Sequence, residues 1–151
     1  MPETIRGKIT FEGRTVGVIV SRWNELVTKE LLEGALDEIA GAGAEAVVLH
    51  VPGTWEIPVA AKALIERRSP VAVVALGCIL QGQTTHAKLL AGDVGSALMR
   101  LQTETGVPVA WGILTPDTQE QALDRAGLKH GNKGREAALA ALETASVISL
   151  L

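Results

Sequence analysis

Thr15-Val16-Gly17-Val18-Ile19-Val20 is an unbroken, largely β-branched run, with Gly13 before it and Ser21-Arg22 after it. Continuous apolar residues without alternation predict a strand buried on both faces, the kind found inside a parallel sheet. Asn24 stands where it can cap a following helix. Leu26, Leu31, Leu32, Ala35, Leu36 and Ile39 then recur near helical spacing until Gly41 and Gly43 end the pattern.

Working outward, the same unit repeats. A second strand is predicted over 46–51, stopped by Pro52-Gly53, and a helix over 57–68, stopped by Ser69-Pro70. A third strand over 71–80 leads to a long helix over 86–104, closed by Gly106. A fourth strand over 107–114, a short helix over 118–125 and a last helix over 132–151 complete the chain. Strands of buried type alternating with helices imply an α/β fold with a parallel sheet, right-handed crossovers and helices on both faces. No linker, low-complexity segment or repeat interrupts it.

At 151 residues the chain has the length of one domain, enough to bury roughly 70% of its unfolded surface. With 47% hydrophobic residues, a core needs no covalent staples. Fourteen Lys and Arg against 17 Asp and Glu give a net charge of −3, without the basic excess of a nucleic-acid binder. The one cysteine, Cys78, excludes an intramolecular disulfide and fits a cytoplasmic setting. The first residues lack the apolar core of a signal peptide. Apolar runs fall short of the ~20 residues that cross a bilayer, so no membrane partner is expected.

In open α/β sheets, ligands bind beyond the carboxyl ends of the strands. Four segments fall there: Ser21-Arg22-Trp23-Asn24, the stretch from Val51 to Pro58, the stretch from Gln81 to His86, and Thr115-Pro116-Asp117-Thr118. Gly82-Gln83-Thr84-Thr85-His86 opens a helix, where free N–H groups and the helix dipole attract an anion; the alternative is an ordinary Thr N-cap. It matches neither a Walker A nor a dinucleotide fingerprint. His86 can accept and donate a proton near neutrality, whereas His50 and His130 have no such company. Trp23 offers a flat surface for a heteroaromatic ring, or simply packs in the core. Glu56 offers a carboxylate to sugar-like hydroxyls, or complements the dipole of the helix it starts. Lys133 and Arg135 sit at the start of the last helix, where the dipole disfavours cations, which points to an external anion or partner. Arg125, ending the short helix, suits the dipole and is readable as a C-terminal cap.

Taken together these segments resemble the lumazine synthases. The motifs are Ser21-Arg22-Trp23-Asn24, Leu32-Glu33-Gly34-Ala35, Val51-Pro52-Gly53-Thr54-Trp55-Glu56-Ile57-Pro58, and Gly77-Cys78 leading to Gly82, Thr84 and His86. Glu104-Thr105-Gly106-Val107-Pro108-Val109 follows, then Leu114-Thr115 with Asp117-Thr118 and Glu120-Gln121-Ala122, then Arg125-Ala126-Gly127 and Gly131-Asn132-Lys133-Gly134. The resemblance covers nearly the whole chain in order and makes 1–151 one lumazine-synthase-like domain. It implies a three-layer α/β/α fold with a four-stranded, parallel, flavodoxin-like sheet.

The resemblance also implies a reaction. The family condenses 5-amino-6-(D-ribitylamino)uracil with 3,4-dihydroxy-2-butanone 4-phosphate to 6,7-dimethyl-8-ribityllumazine, in riboflavin biosynthesis, without metal or organic cofactor. On that pattern Trp23 stacks on the pyrimidine, with Asn24 and Leu80 also in its site. Thr54, Trp55 and Glu56 hold the ribityl chain. Gly82, Gln83 and Thr84 bind phosphate with Arg125 of a neighbouring subunit, His86 shuttles protons, and Lys133 and Trp111 of the neighbour close the site. Homopentamers are expected, and the short 127–131 connection resembles that of members that pack into icosahedral shells.

Three positions depart from the family pattern: Gln81 where Arg or Lys is usual, Ala87 where an aromatic is usual, and Lys88 where an acid is usual. A nearby Lys disfavours the protonated imidazole of His86, and a lost cation weakens the pull on phosphate. With Leu89 and Leu90 beside them, these changes also read as a remodelled subunit interface. The alternative expectation is therefore a structural protein, a pentamer of this family serving an assembly such as a shell or a designed co-assembly.

Overall fold

The computed structural model describes residues 1–81, 85–129 and 131–151. Along the chain run β1 (Thr15–Ser21), α1 (Glu25–Gly41), β2 (Glu45–Val51), α2 (Ile57–Arg68), β3 (Ala72–Cys78), α3 (His86–Thr105), β4 (Val109–Leu114), α4 (Gln119–Arg125) and α5 (Lys133–Ser149). The four strands form one sheet in the order β2-β1-β3-β4, and every pairing is parallel. Helices cover both faces, so the three-layer α/β/α, flavodoxin-like arrangement is present.

β1 lies between two neighbours, Val16 pairing with Ala46 on one side and Ala72 on the other. Its side chains alternate between the layers. Val16, Val18 and Val20 pack with Leu31, Ile39 and Leu142 under α1 and α5. Ile19 packs with Ile57, Leu64 and Val94 under α2 and α3. Both sets are essentially inaccessible to water, and each such side chain contributes roughly 1.5–3 kcal/mol. Gly17 admits α2 closely: a Cβ there would lie 2.5 Å from Leu64 Cδ2.

The sheet departs from the expected strands in three places. β2 is an edge strand; Glu45, Ala46 and His50 are exposed and the rest half-buried, because a strand at the border has a neighbour on one side only. β3 stops at Cys78 rather than at 80. Beyond it the Ile79 N–H donates to the Leu114 carbonyl at 2.7 Å and the Gln81 N–H to the Pro116 carbonyl at 2.8 Å, so the chain follows the exit of β4. β4 starts at Val109 rather than at 107; Pro108 has no N–H to give the ladder, although its carbonyl accepts from Val73 N–H at 2.8 Å.

Two helix starts carry side-chain caps at residues that the sequence pattern placed inside the helices. Thr118 Oγ1 accepts from Gln121 N–H at 3.2 Å, and Asn132 Oδ1 from Arg135 N–H at 3.0 Å. Thr85 precedes α3 without a side-chain cap. No described helix is long and apolar enough to cross a membrane.

The connections position the site. α1, leaving β1, packs on the face shared with α5, whereas α3, leaving β3, packs on the opposite face with α2. Two adjacent parallel strands whose following helices diverge leave a crevice beyond their carboxyl ends. That crevice lies past Ser21 and Cys78.

Candidate active site

A cavity of about 490 Å³ opens at this point, bounded by Trp23, Asn24, Thr54, Trp55, Leu80 and His86. Local pairing explains how the first of these arrive. Arg22 N–H donates to the Val51 carbonyl at 2.7 Å and Trp23 N–H to the Pro52 carbonyl at 2.9 Å, continuing the β1–β2 ladder past the strand ends. This sets the indole of Trp23 on Gly53, where an added Cβ would lie 2.5 Å from ring atom Cε3. Trp23 is nevertheless 61% exposed. Of its two sequence readings, core packing is overturned: the ring rests on backbone and leaves aromatic surface open.

Asn24 occupies the N-cap position of α1, but its side chain makes no cap bond. Its backbone is left-handed, at φ 66°, and its Nδ2 donates instead to the Cys78 carbonyl at 3.0 Å. The expected cap is therefore replaced by a tie between the exits of β1 and β3.

A single 3-10 turn over Thr54–Glu56 carries the next residues. Thr54 is buried and Trp55 is 64% exposed. Glu56 Oε1 accepts from the Gly53 N–H at 2.9 Å, securing the turn. One carboxylate oxygen is thus engaged at the start of the turn, as the dipole reading of Glu56 anticipates. His86 is the first residue of α3, exposed at the crevice wall. Gly82, Gln83 and Thr84, expected to hold an anion, lie outside the described residues, as does His130.

The floor contains a residue that sequence reasoning quoted without assigning it a role. Ser21 closes β1 and is 1% exposed, and its Oγ has no hydrogen-bond partner among the described residues. Such a hydroxyl costs about 1–3 kcal/mol when left unpaired. The signal was present in the alternation of β1, which places Ser21 on the face of Gly17 and Ile19. There its neighbours are small: a Cβ on Gly77 would stand 2.7 Å from Thr54 Cγ2 and 3.0 Å from Ser21 Oγ.

Trp111, Arg125 and Lys133 lie elsewhere. They line a second depression, of about 610 Å³, with Thr115, Gln121 and Asp124, between β4, the later part of α4 and the start of α5. Gln121 Oε1 accepts from Asp117 N–H at 2.9 Å and holds the loop before α4. Within one chain the described candidate residues that line a depression therefore form two sets, not one.

Several other sequence expectations are decided here. Arg135 needs no external anion: Nη1 donates to Glu38 Oε1 at 2.6 Å and Nη2 to Asp37 Oδ2 at 3.1 Å, both on α1. Those two partners raise its pKa. Lys133, by contrast, faces the second depression. Ala87 is buried among the α2–α3 layer, Lys88 is exposed, Leu90 reaches the crevice wall and Leu89 is 64% exposed. Cys78 sits 5% exposed beside the crevice, and burial pushes its thiol up to about 11.

Comparison with known proteins fits this geometry. The family model described as 6,7-dimethyl-8-ribityllumazine synthase matches residues 13–149. A protein named 6,7-dimethyl-8-ribityllumazine synthase from Aquifex aeolicus (strain VF5) is 43% identical over 148 residues, covering 96% of each chain. A second of that name, from Desulfotalea psychrophila (strain LSv54 / DSM 12343), is 40% identical over 154 residues, covering 100% of this chain and 99% of its own. With a family model spanning nearly its whole length and full-length relatives at this identity, the chain belongs to the 6,7-dimethyl-8-ribityllumazine synthase family.

Proposed function

We infer that the protein condenses 5-amino-6-(D-ribitylamino)uracil with 3,4-dihydroxy-2-butanone 4-phosphate, releasing phosphate and water, to give 6,7-dimethyl-8-ribityllumazine for riboflavin biosynthesis in the cytoplasm. The observation that carries this reading is the division of the candidate residues between two depressions at the carboxyl ends of the strands. One offers an open indole and an imidazole; the other offers two cations and a second indole. Neither alone suits a reaction that must hold a flat heterocycle and an anion together.

In this reading a second copy brings its Trp111, Arg125 and Lys133 against the crevice of the first. Trp23 stacks on the pyrimidine, beside Asn24 and Leu80. Thr54, Trp55 and Glu56 hold the ribityl hydroxyls. Gly82, Gln83 and Thr84, which precede α3 in sequence, receive the phosphate with Arg125. His86 moves protons to and from the condensing nitrogen and oxygen atoms. The contact is heterologous, one patch meeting a different patch, and such contacts close into a ring where the rotation between copies closes. Five copies form the ring, and rings pack further into a shell.

The test is turnover with both substrates, followed by the absorbance of the lumazine. His86→Ala and Lys133→Ala are each expected to lower it sharply. Mixed and reassembled, the two inactive variants should regain about a quarter of the wild-type sites, because each intact site draws its two halves from different chains. An inert wild type overturns the reaction. Activity in a strict monomer, or mixtures no better than their parents, overturns the shared site.

A further inference from the structure

We propose that Ser21 determines specificity in the crevice: its hydroxyl forms a hydrogen bond with the polar edge of the heterocycle that lies against Trp23. This deepens the function proposed above and rests on it. Two independent observations meet at this residue. The crevice is a real cavity at the switch point of the sheet, and Ser21 is among the residues that line it. Its Oγ is also the one buried side-chain N or O atom without a partner among the described residues.

A buried hydroxyl that serves only to fill space is better replaced by an apolar group of similar shape. The described surroundings of Ser21 supply no compensation. The neighbouring carboxamide of Asn24 is committed to the Cys78 carbonyl at 3.0 Å. The facing positions on the same layer are the methyl group of Thr54 and the bare Cα of Gly77. Gly77 leaves room on that side for the Ser21 side chain to turn about its Cα–Cβ bond. A serine hydroxyl both donates and accepts, so it suits a ring edge that presents carbonyl oxygens and N–H groups. The charged residues of the second depression recognise phosphate; Ser21 recognises the ring.

The experiment measures binding of 6,7-dimethyl-8-ribityllumazine, through its fluorescence, to wild type and Ser21→Ala, with thermal unfolding of both. The expected result is a five- to tenfold weaker affinity, about one neutral hydrogen bond, with a melting temperature unchanged or raised. Affinity equal to wild type overturns the proposal and leaves the reading of the crevice standing. Weaker binding accompanied by a lowered melting temperature assigns the hydroxyl to the fold and also overturns it. A wild type that binds no lumazine overturns this proposal together with the function it rests on. Ser21→Cys, nearly the same shape with a weak donor, replaces the alanine variant if that one does not fold, and carries the same expectations.

Discussion

Asn24 Nδ2 and the carbonyl of Cys78, separated by 54 residues in sequence, meet at 3.0 Å and join the exits of β1 and β3. One short side chain thereby sets the width of the crevice at its base. The left-handed backbone of Asn24 is what aims the carboxamide there, and asparagine tolerates that conformation better than other residues with a side chain.

Asn24→Ala should lose both features. The broken hydrogen bond and the left-handed backbone together cost about 2 kcal/mol. Asn24→Gly relieves the backbone and loses only the bond, about 1 kcal/mol. Urea denaturation of the two variants reads the difference directly, and equal midpoints would show that the backbone contributes nothing.

Gly53→Ala tests the seat of Trp23. The backbone of Gly53 is extended, at φ −136°, so alanine is not excluded by conformation. It is excluded by the indole, 2.5 Å from the added Cβ. Displacing the ring should cost about 1–3 kcal/mol, shift tryptophan emission and weaken lumazine binding more than tenfold. Fluorescence titration at constant protein concentration decides it.

The thiol of Cys78 gives a pH prediction. Burial raises its pKa from 9.0 to about 11, so the folded state keeps its proton where the unfolded state gives it up. The resulting stability is fully present below pH 9 and is lost as pH rises towards 11, up to about 2 kcal/mol. Urea midpoints between pH 8 and 10.5 should fall more steeply for wild type than for Cys78→Ala. A thiol reagent at pH 8 should label the protein only after denaturation.

Arg135 reaches Glu38 and Asp37 at the surface of α1. Arg135→Ala should lower stability slightly at 50 mM salt, and the gap to wild type should close in 1 M salt, where exposed pairs are screened. Turnover should be untouched. A loss of activity would move Arg135 into the site and restore the external anion that its position in sequence suggested.

Much of the architecture was legible in residue order. The run from Thr15 to Val20 announced a strand buried on both faces, and β1 lies between two neighbours with helices on either side. The last two helices begin within one residue of the expected 118 and 132, and Gly106 ends α3 at φ 73°. Local chemistry decides such features, so local sequence reveals them. Less was legible where distance in sequence intervened. Val47, Val48 and Leu49 look like core, but sheet order puts β2 at the border. Asn24 looks like a helix cap, but a carbonyl from another strand outcompetes the helix for its side chain.

The sequence by itself determined the alternation of strands and helices, the composition of the loops beyond the strands, and the family that those motifs resemble. These depend on periodicity and on residue types, which a linear chain displays. The tertiary structure alone decided that Trp23 rests on Gly53, that Arg135 is satisfied by α1, that Ser21 lies on the crevice floor without a partner among the described residues, and that Trp111, Arg125 and Lys133 line a separate depression. Each of these is a relation between atoms brought together by parallel strand pairing and helix packing, and no local pattern encodes which distant partner a side chain will meet.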